Sequence, residues 1–569
     1  NDTMFTSINK AMQRIGRPYP HCGYGGAFLH WMYSDEPAPY GSFGNGAAMR
    51  VSGCGFAAKF LDEAKILSRE VTAITHNHPE GLKGAEATAV AIFLARQGKT
   101  QAEIKAHICE HYYNIDFTLD DIRATYEFNE TCQNTVPQAL EAFFEAQSFE
   151  DAIRNAIQDT DSNWYKLIMN LYQLDPGVRK VFFQNFIVNA SLKGSARQEE
   201  VAAENNCNVP WAILLDPTSA CNLHCTGCWA AEYGYKLNLT YEELDDIVTQ
   251  GKELGIYFYM FTGGEPLVRK AHILKLCKKH HDVAFHSFTN GTLIDEEFCK
   301  EVQKLGNLSF SLSLEGFEEA NDGRRGPGIF QKVLGAMDLM KRYGLFFGTS
   351  VCYTRKNMDA VTSDEFFDLL IEHGCRYSWY FHYMPVGNEA DVELMPTMEQ
   401  REYIYKRIRE VRAFEGGKPI MLMDFQNDGE FVGGCIAGGR NYFHINANGD
   451  AEPCVFIHYS GANIRENTLL ECLQQPLFMA YRDNQPFNDN MLRPCPMLEN
   501  PEKLQEMVRE TGAKSTDLQS PESAEHLCGK CEPYAAEWKE HADKIWAEHP
   551  FVKKGYKNYK SEIEGTDAN

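Results

Sequence analysis

Cysteine recurs at positions 221, 225 and 228 in the run Leu214-Leu215-Asp216-Pro217-Thr218-Ser219-Ala220-Cys221-Asn222-Leu223-His224-Cys225-Thr226-Gly227-Cys228-Trp229. Three thiolates on one short loop can hold three irons of a [4Fe-4S] cubane and leave the fourth iron open to an exogenous ligand. The alternative chemistry is a structural zinc site, which needs a fourth protein ligand. Cys207 or His224 could be offered for it.

A loop of this kind has to be carried by something rigid. From about residue 209, apolar segments of strand length recur at Trp211–Leu215, Tyr257–Thr262, Ala284–Thr289, Leu308–Leu314, Phe346–Tyr353 and Tyr377–Tyr383. Helical patterns such as Tyr241–Leu254 and Glu296–Lys304 lie between them. Strand–helix alternation predicts a parallel sheet with right-handed crossovers. Six such units make a partial (β/α)6 barrel with its site at the C-terminal strand ends. The cysteine loop follows the first strand, where such a site would be.

Further motifs fall at the ends of the later strands. Phe261-Thr262-Gly263-Gly264-Glu265-Pro266 ends the second, Thr289-Asn290-Gly291 the third and Ser311-Leu312-Ser313-Leu314-Glu315-Gly316 the fourth. Asn321-Asp322-Gly323-Arg324-Arg325 comes next, and Met384-Pro385-Val386-Gly387 follows the sixth. Cys-x3-Cys-x2-Cys with an aromatic residue after it resembles the radical S-adenosylmethionine (SAM) signature, and the later motifs follow in that family's order across residues 209–390. The resemblance implies that the amino and carboxylate groups of SAM chelate the open iron. An electron then breaks the S–C5′ bond and gives a 5′-deoxyadenosyl radical. It implies that Gly263, Gly264, Glu265 and Pro266 meet the methionyl amino group and that Asn290 joins the cofactor site. Ser313 would face the ribose, Arg325 the SAM carboxylate, and the backbone around Pro385 the adenine. Two glycines let backbone approach a ligand closely, and Glu265 offers negative charge to an ammonium. Glu315 and Asn321 depart from the family's usual Asp and His.

Beyond about residue 430 the strand–helix pattern gives way to Cys, Gly and Pro, predicting a small metal-stapled domain. Cys435-x13-Gly449-x4-Cys454, with Pro453, resembles the opening of a SPASM or twitch domain, the auxiliary-cluster module of many radical SAM enzymes. Cys495, Cys528 and Cys531 complete the supply, which suits one auxiliary Fe-S cluster. Cys435, Cys454 and Cys495 are the best candidates, with Cys528 or Cys531 fourth. A four-thiolate zinc knot is the alternative. Cys277, Cys299, Cys352 and Cys375 stand isolated and read as buried small hydrophobes.

Residues 1–158 are rich in Ala and Gly and read as an all-α segment, with helices at Asp62–Thr72, Gly84–Gln97 and Leu119–Phe128. Tyr40-Gly41-Ser42-Phe43-Gly44-Asn45-Gly46-Ala47-Ala48-Met49-Arg50 and Thr75-His76-Asn77-His78-Pro79-Glu80-Gly81 resemble ADP-ribosylglycohydrolases, all-α enzymes that use two Mg²⁺ ions. Asn1-Asp2-Thr3 and Gln158-Asp159-Thr160-Asp161-Ser162 resemble the remains of that family's two metal motifs. Carboxylates there would bind Mg²⁺ and activate water.

The expected organisation is this segment at 1–158, a helical linker at 159–208, the barrel at 209–425 and the cluster domain at 426–569. The linker carries aromatic and apolar residues at Trp164, Tyr165, Leu167, Ile168, Leu171 and Tyr172, then at Val181, Phe182, Phe183, Phe186, Ile187 and Val188. Two short amphipathic helices are predicted, covering the open edge of the barrel or touching a membrane surface or lipid tail. With 55 Lys and Arg against 79 Asp and Glu, the net charge of -24 disfavours nucleic acid. No apolar run spans a bilayer, no secretory signal is seen, and clustered cysteines in a long chain fit a reducing cytoplasm. The chain opens on Asn rather than Met. The expected activity is SAM-dependent hydrogen abstraction from a peptide or lipid-like substrate, fed by a reductant such as flavodoxin or ferredoxin. ADP-ribosyl hydrolysis and a non-catalytic zinc scaffold are the alternatives.

Overall fold

The computed structural model describes residues 2–17, 25–122, 126, 129–146, 162–413 and 416–549. The chain divides into two compact units, with the boundary between Asp161 and Ser162.

The larger unit is built on one sheet of nine strands in the order β7-β6-β5-β4-β3-β2-β1-β8-β9. These are β1 Ala212–Leu215, β2 Phe258–Phe261, β3 Ala284–Thr289, β4 Leu308–Ser313, β5 Phe347–Tyr353, β6 Tyr377–His382, β7 Met421–Asp424, β8 Tyr442–Ile445 and β9 Ala451–Glu452. All pairs are parallel except β8–β9. The six expected strands are present, as a partial (β/α) barrel. The apolar runs form strands because both faces are covered: β1 and β8 are buried at every residue. Helices pack outside, and their ends are set by local chemistry. Thr240 and Glu243 form a capping box at Tyr241–Glu253, and Gly306, at φ +74°, ends Glu296–Leu305.

The cysteine-rich region does not stand apart from this sheet. β8 pairs with β1 in register, Ala212 opposite Tyr442, so residues on both sides of position 425 share one sheet. The helix Ala524–Ala547 buries Cys528, Cys531 and Trp538. Two further strands, β10 Tyr459–Ser460 and β11 Lys514–Ser515, make a small antiparallel ribbon.

Of the two expected linker helices, Asn163–Leu171 is found as such. The second, Pro176–Phe183, runs on through a π-helical stretch, Gln184–Gly194, into Ser195–Asn205. Phe182 is buried, with its ring 5.7 Å from Phe186 and 5.1 Å from Phe346. Phe186 meets Trp211 and Phe258 edge-on. This face therefore packs under the N-terminal ends of the strands, while Ile187, Val188 and Leu192 remain exposed. Among the described residues no helix is long and apolar enough to cross a membrane.

The other unit is helical, with Leu61–Ala73 and Pro79–Arg96 its main packed pair. Its two quoted motifs meet. Arg50 donates to Thr75 Oγ1 and contacts His76 Nδ1 at 3.0 Å, and Gly41 N–H donates to Asn77 Oδ1. Burial and Arg50 hold His76 down at about 4. Asn1, the side chains of Asp2 and Thr3, and residues 158–161 lie outside the described residues, so the expected Mg²⁺ positions do too. The helix expected at 119–128 is described only over Leu119–Ile122.

Candidate active site

The cysteine loop leaves the C-terminal end of β1 and is laced to the end of β2 by backbone. Gly264 N–H donates to Thr218 O at 3.0 Å, and Glu265 N–H to Ala220 O at 2.8 Å. The glycine pair permits this contact. Gly263 has φ +103°, and a Cβ on Gly264 would stand 2.3 Å from Ala220 O. The two glycines therefore admit the cysteine loop as well as lining the cavity in front of it. Gly264→Ala is expected to displace the loop at a cost of about 1–3 kcal/mol. Iron bound per chain after reconstitution, which should fall, checks this; an unchanged iron content would contradict it.

Glu265 is buried and its carboxylate is occupied locally. It accepts from Thr289 Oγ1 at 2.7 Å, Asn290 N–H at 2.7 Å and Leu267 N–H at 3.0 Å. Burial raises its pKa against those donors. It ties the end of β2 to the end of β3. Asn290 Nδ2 donates to Asn222 Oδ1, carrying the tie back to the cysteine loop.

Glu315, fully buried at the end of β4, organises the other side. One oxygen accepts from Arg324 Nη1 at 2.6 Å and from Arg325 Nε at 3.1 Å, with Arg325 Nη2 also in contact. Its second oxygen accepts from Cys352 N–H. Arg324 also donates to Thr226 O, and Thr226 N–H to Arg324 O, clamping the loop between two of its cysteines. Arg325 Nη1 lies 3.8 Å from Cys225 Sγ. Sequence reasoning favoured Arg325 and missed the clamp made by Arg324. Cys277, Cys299 and Cys375 are buried as expected, but Cys352 is only partly buried and lines the cavity.

Burial pushes the Cys221 thiol up to about 11, and Glu265, Cys228 and Cys225 add to the rise. Burial also raises Cys225, against the pull of Arg325. Thiols raised in this way deprotonate readily only with strong positive charge beside them, which cluster irons supply. Leu223 N–H points to Cys221 Sγ at 3.4 Å. The donor set thus fits an iron–sulfur cluster. Among the described residues no three His, Cys, Asp or Glu converge as ligands of a single metal ion. A cubane spreads its thiolates over separate irons, so this is compatible with the fit.

In front of the loop lies a cavity of about 680 Å³. Cys221, Cys225, Cys228, Gly263, Gly264, Glu265, Asn290, Ser313 and Arg325 line one end. Phe186, Trp211, Phe346 and Arg376 line the other. Pro266 and Pro385 are buried and stand outside its wall, which Met384 joins.

In the C-terminal region burial raises the Cys454 and Cys495 thiols, Cys435 adds to both rises, and Cys454 adds to that of Cys495. Cys495 Sγ accepts from the N–H groups of Met497 and Leu498 at 3.4 Å. Cys528 and Cys531 are buried on one helix face. Glu499 accepts from Cys495 N–H and also acts on the Cys531 thiol.

A buried charge network connects the two cysteine regions. His444 on β8 lies 2.9 Å from Asp216, which precedes the cysteine loop, and 2.6 Å from Glu452 on β9. Tyr233, Asn446 and Thr516 also donate to Glu452, and Trp229, next to Cys228, meets the His444 ring edge-on. The site motifs did not reveal this network, in which Asp216 is far in sequence from His444 and Glu452. Burial opposes the charge on His444, but Asp216 and Glu452 outweigh it and raise His444 to about 10. Its folded value lies above the ordinary 6.5. The stabilisation is therefore complete below about pH 6.5 and lost as pH rises through about 10. The thermal midpoint should fall over that window, and His444→Gln should flatten the fall; an equally steep variant would contradict the assignment.

The chain is similar to known proteins over three regions. The Radical SAM superfamily model matches residues 215–367, the SPASM iron-sulfur cluster-binding domain model residues 435–497, and the ADP-ribosylglycohydrolase model residues 5–163. The chain thus carries a radical SAM domain and an iron–sulfur cluster-binding SPASM domain; it is an enzyme of this kind, with SAM, a [4Fe-4S] cluster and an auxiliary iron–sulfur cluster as cofactors. More particularly, it joins these regions to an N-terminal ADP-ribosylglycohydrolase-like one. An AdoMet-dependent heme synthase of Methanosarcina barkeri is 25% identical over 305 residues, 48% of this chain and 86% of that protein. The mycofactocin maturase MftC of Mycolicibacterium smegmatis is 28% identical over 264 residues, 44% of this chain and 66% of that protein. Streptococcus suis SuiB bound to S-adenosylmethionine is 18% identical with a TM-score of 0.45, covering 55% of this chain and 79% of that one.

Proposed function

We propose that Cys221, Cys225 and Cys228 hold the SAM-cleaving [4Fe-4S] cluster and that the barrel cavity behind it receives the substrate. When bound, the cluster supplies the electron that cleaves SAM. The protein's own residues do the positioning: the Gly264–Glu265 backbone ladder fixes the loop, Arg324 clamps it, and Glu315 holds both arginines. Gly263, Gly264, Asn290 and Ser313 offer the SAM contacts at the cavity wall, with Arg325 at its carboxylate and Met384–Pro385 backbone at the adenine. Glu265 acts by holding the ends of β2 and β3 together. The apolar cavity excludes water from a reactive intermediate. The observation that carries this reading is the half-buried three-cysteine loop facing one end of that cavity. SAM should change the electron paramagnetic resonance signal of the dithionite-reduced protein. An unchanged signal in protein with its full iron complement would refute the open-iron site.

Cys435, Cys454 and Cys495, with Cys528 or Cys531, hold the auxiliary cluster in this reading. Cys435→Ala or Cys454→Ala should leave uncoupled SAM cleavage largely intact and block turnover of the substrate, because a cluster away from SAM tunes electron flow or binds substrate. Zinc in place of iron at this site would refute it. The substrate is peptide or lipid-like, and a reductant such as flavodoxin or ferredoxin supplies electrons in a reducing cytoplasm. The exposed Ile187, Val188 and Leu192 are the surface on which membrane contact would be sought.

The match over residues 5–163 favours a second reading, Mg²⁺-dependent ADP-ribosyl hydrolysis by the N-terminal unit. Release of ADP-ribose from an ADP-ribosylated peptide by the full chain tests it, and no release above a Mg²⁺-free control would set it aside.

A further inference from the structure

The cavity reaches from the C-terminal to the N-terminal end of the barrel strands. The cysteines stand at one end; Arg376, the residue before β6, lines the other. A six-residue strand spans about 20 Å. Between these ends the wall is apolar, with Met260, Phe288, Trp379, Phe381 and Met423 among its residues. His286 also faces this space, but its ring nitrogens meet Ser309 Oγ and Ser311 Oγ, so the protein satisfies it.

Arg376 is different. It is 6% exposed and makes three hydrogen bonds, all to neutral acceptors. Nε donates to Asn170 O at 3.2 Å, Nη1 to Gly374 O at 2.9 Å and Nη2 to Gln173 Oε1 at 3.2 Å. A guanidinium has five N–H donors and stays charged. One N–H on each Nη therefore has no acceptor among the described residues. No carboxylate among the described residues pairs with it. The other buried arginine, Arg401, pairs with Glu499, and the largely buried Arg324 and Arg325 share Glu315. A buried cation without a counter-ion is costly, and a fork of free N–H groups matches a carboxylate.

We propose that the far end of the barrel cavity is a carboxylate-binding pocket, in which Arg376 takes the acid group of a small amphipathic substrate whose apolar body fills the channel toward the cysteine loop. This rests on the reading of the cavity as the substrate chamber of a SAM-cleaving enzyme. It excludes a plain hydrocarbon and an esterified chain as good ligands. It also fixes orientation, with the acid at the deep end and the reacting carbon beside SAM.

Titration calorimetry of the reconstituted full chain with dodecanoate and with methyl dodecanoate, in the absence of reductant, tests the pocket. Dodecanoate should bind at one site at least tenfold more tightly than the ester. Arg376→Gln should weaken dodecanoate at least tenfold and leave the ester unchanged, and Arg376→Lys should restore part of the difference. Equal affinity of acid and ester for the wild type, an Arg376→Gln variant that binds dodecanoate normally, or no saturable binding would each overturn the proposal. Should Arg376→Gln not fold, the wild-type comparison of acid with ester decides alone. Carboxylate binding without SAM cleavage would leave the Arg376 pocket standing and overturn its role as the substrate chamber of a SAM-cleaving enzyme; SAM cleavage without carboxylate binding would overturn the pocket and leave the radical SAM reading intact.

Discussion

Replacing Cys221, Cys225 and Cys228 together by Ala should reduce 5′-deoxyadenosine formation to the level of a protein-free control. All three thiolates come from one loop, and no described group is placed to substitute for them. His224, the nearest alternative ligand by sequence, has its Nδ1 at 3.1 Å from Tyr235 Oη and is exposed. The auxiliary iron should survive, because Cys435, Cys454 and Cys495 are held by separate contacts. Bound iron should drop by about four atoms per chain, the content of one cubane. SAM cleavage persisting in the triple variant would contradict the assignment of the cluster, whatever the iron count.

The second large effect is expected at Glu315. Its carboxylate has no exposure and is the shared counter-charge of Arg324 and Arg325. Glu315→Gln keeps the shape and removes the charge, leaving two largely buried guanidinium groups without compensation. Breaking a buried ion pair from one side costs about 3–5 kcal/mol. The thermal midpoint should fall by several degrees. SAM cleavage should fall further than stability alone explains, because Arg324 clamps the loop at Thr226 and Arg325 stands beside Cys225. Melting curves and 5′-deoxyadenosine yield, measured below the midpoint of the variant, separate the two effects. Unchanged melting would contradict the buried-charge account, and unchanged cleavage would contradict the clamp.

Much of this site could be read in the sequence because its elements obey local rules. The six barrel strands are short apolar runs covered on both faces, and the cysteine spacing is itself the ligand geometry. What escaped depends on contacts between distant residues. β8 is four residues long and lacks a following crossover helix, so nothing local marks it as the neighbour of β1. The π-helical stretch at 184–194 keeps an apolar pattern that fits a short helix equally well. Asp216, His444 and Glu452 meet only because β1, β8 and β9 are adjacent. Gly263 and Gly264 suggested close approach to a ligand, and their tightest neighbour is the backbone of the cysteine loop. Adjacent arginines at 324 and 325 cannot be ranked by spacing, since Glu315 takes both.

The most direct test of the central claim is 5′-deoxyadenosine formation by the wild-type chain, reconstituted with iron and sulfide without oxygen, then given SAM and dithionite. The account predicts 5′-deoxyadenosine that depends on SAM, reductant and bound iron. Protein that carries its full iron complement, binds SAM and still yields no 5′-deoxyadenosine above the protein-free control would contradict it.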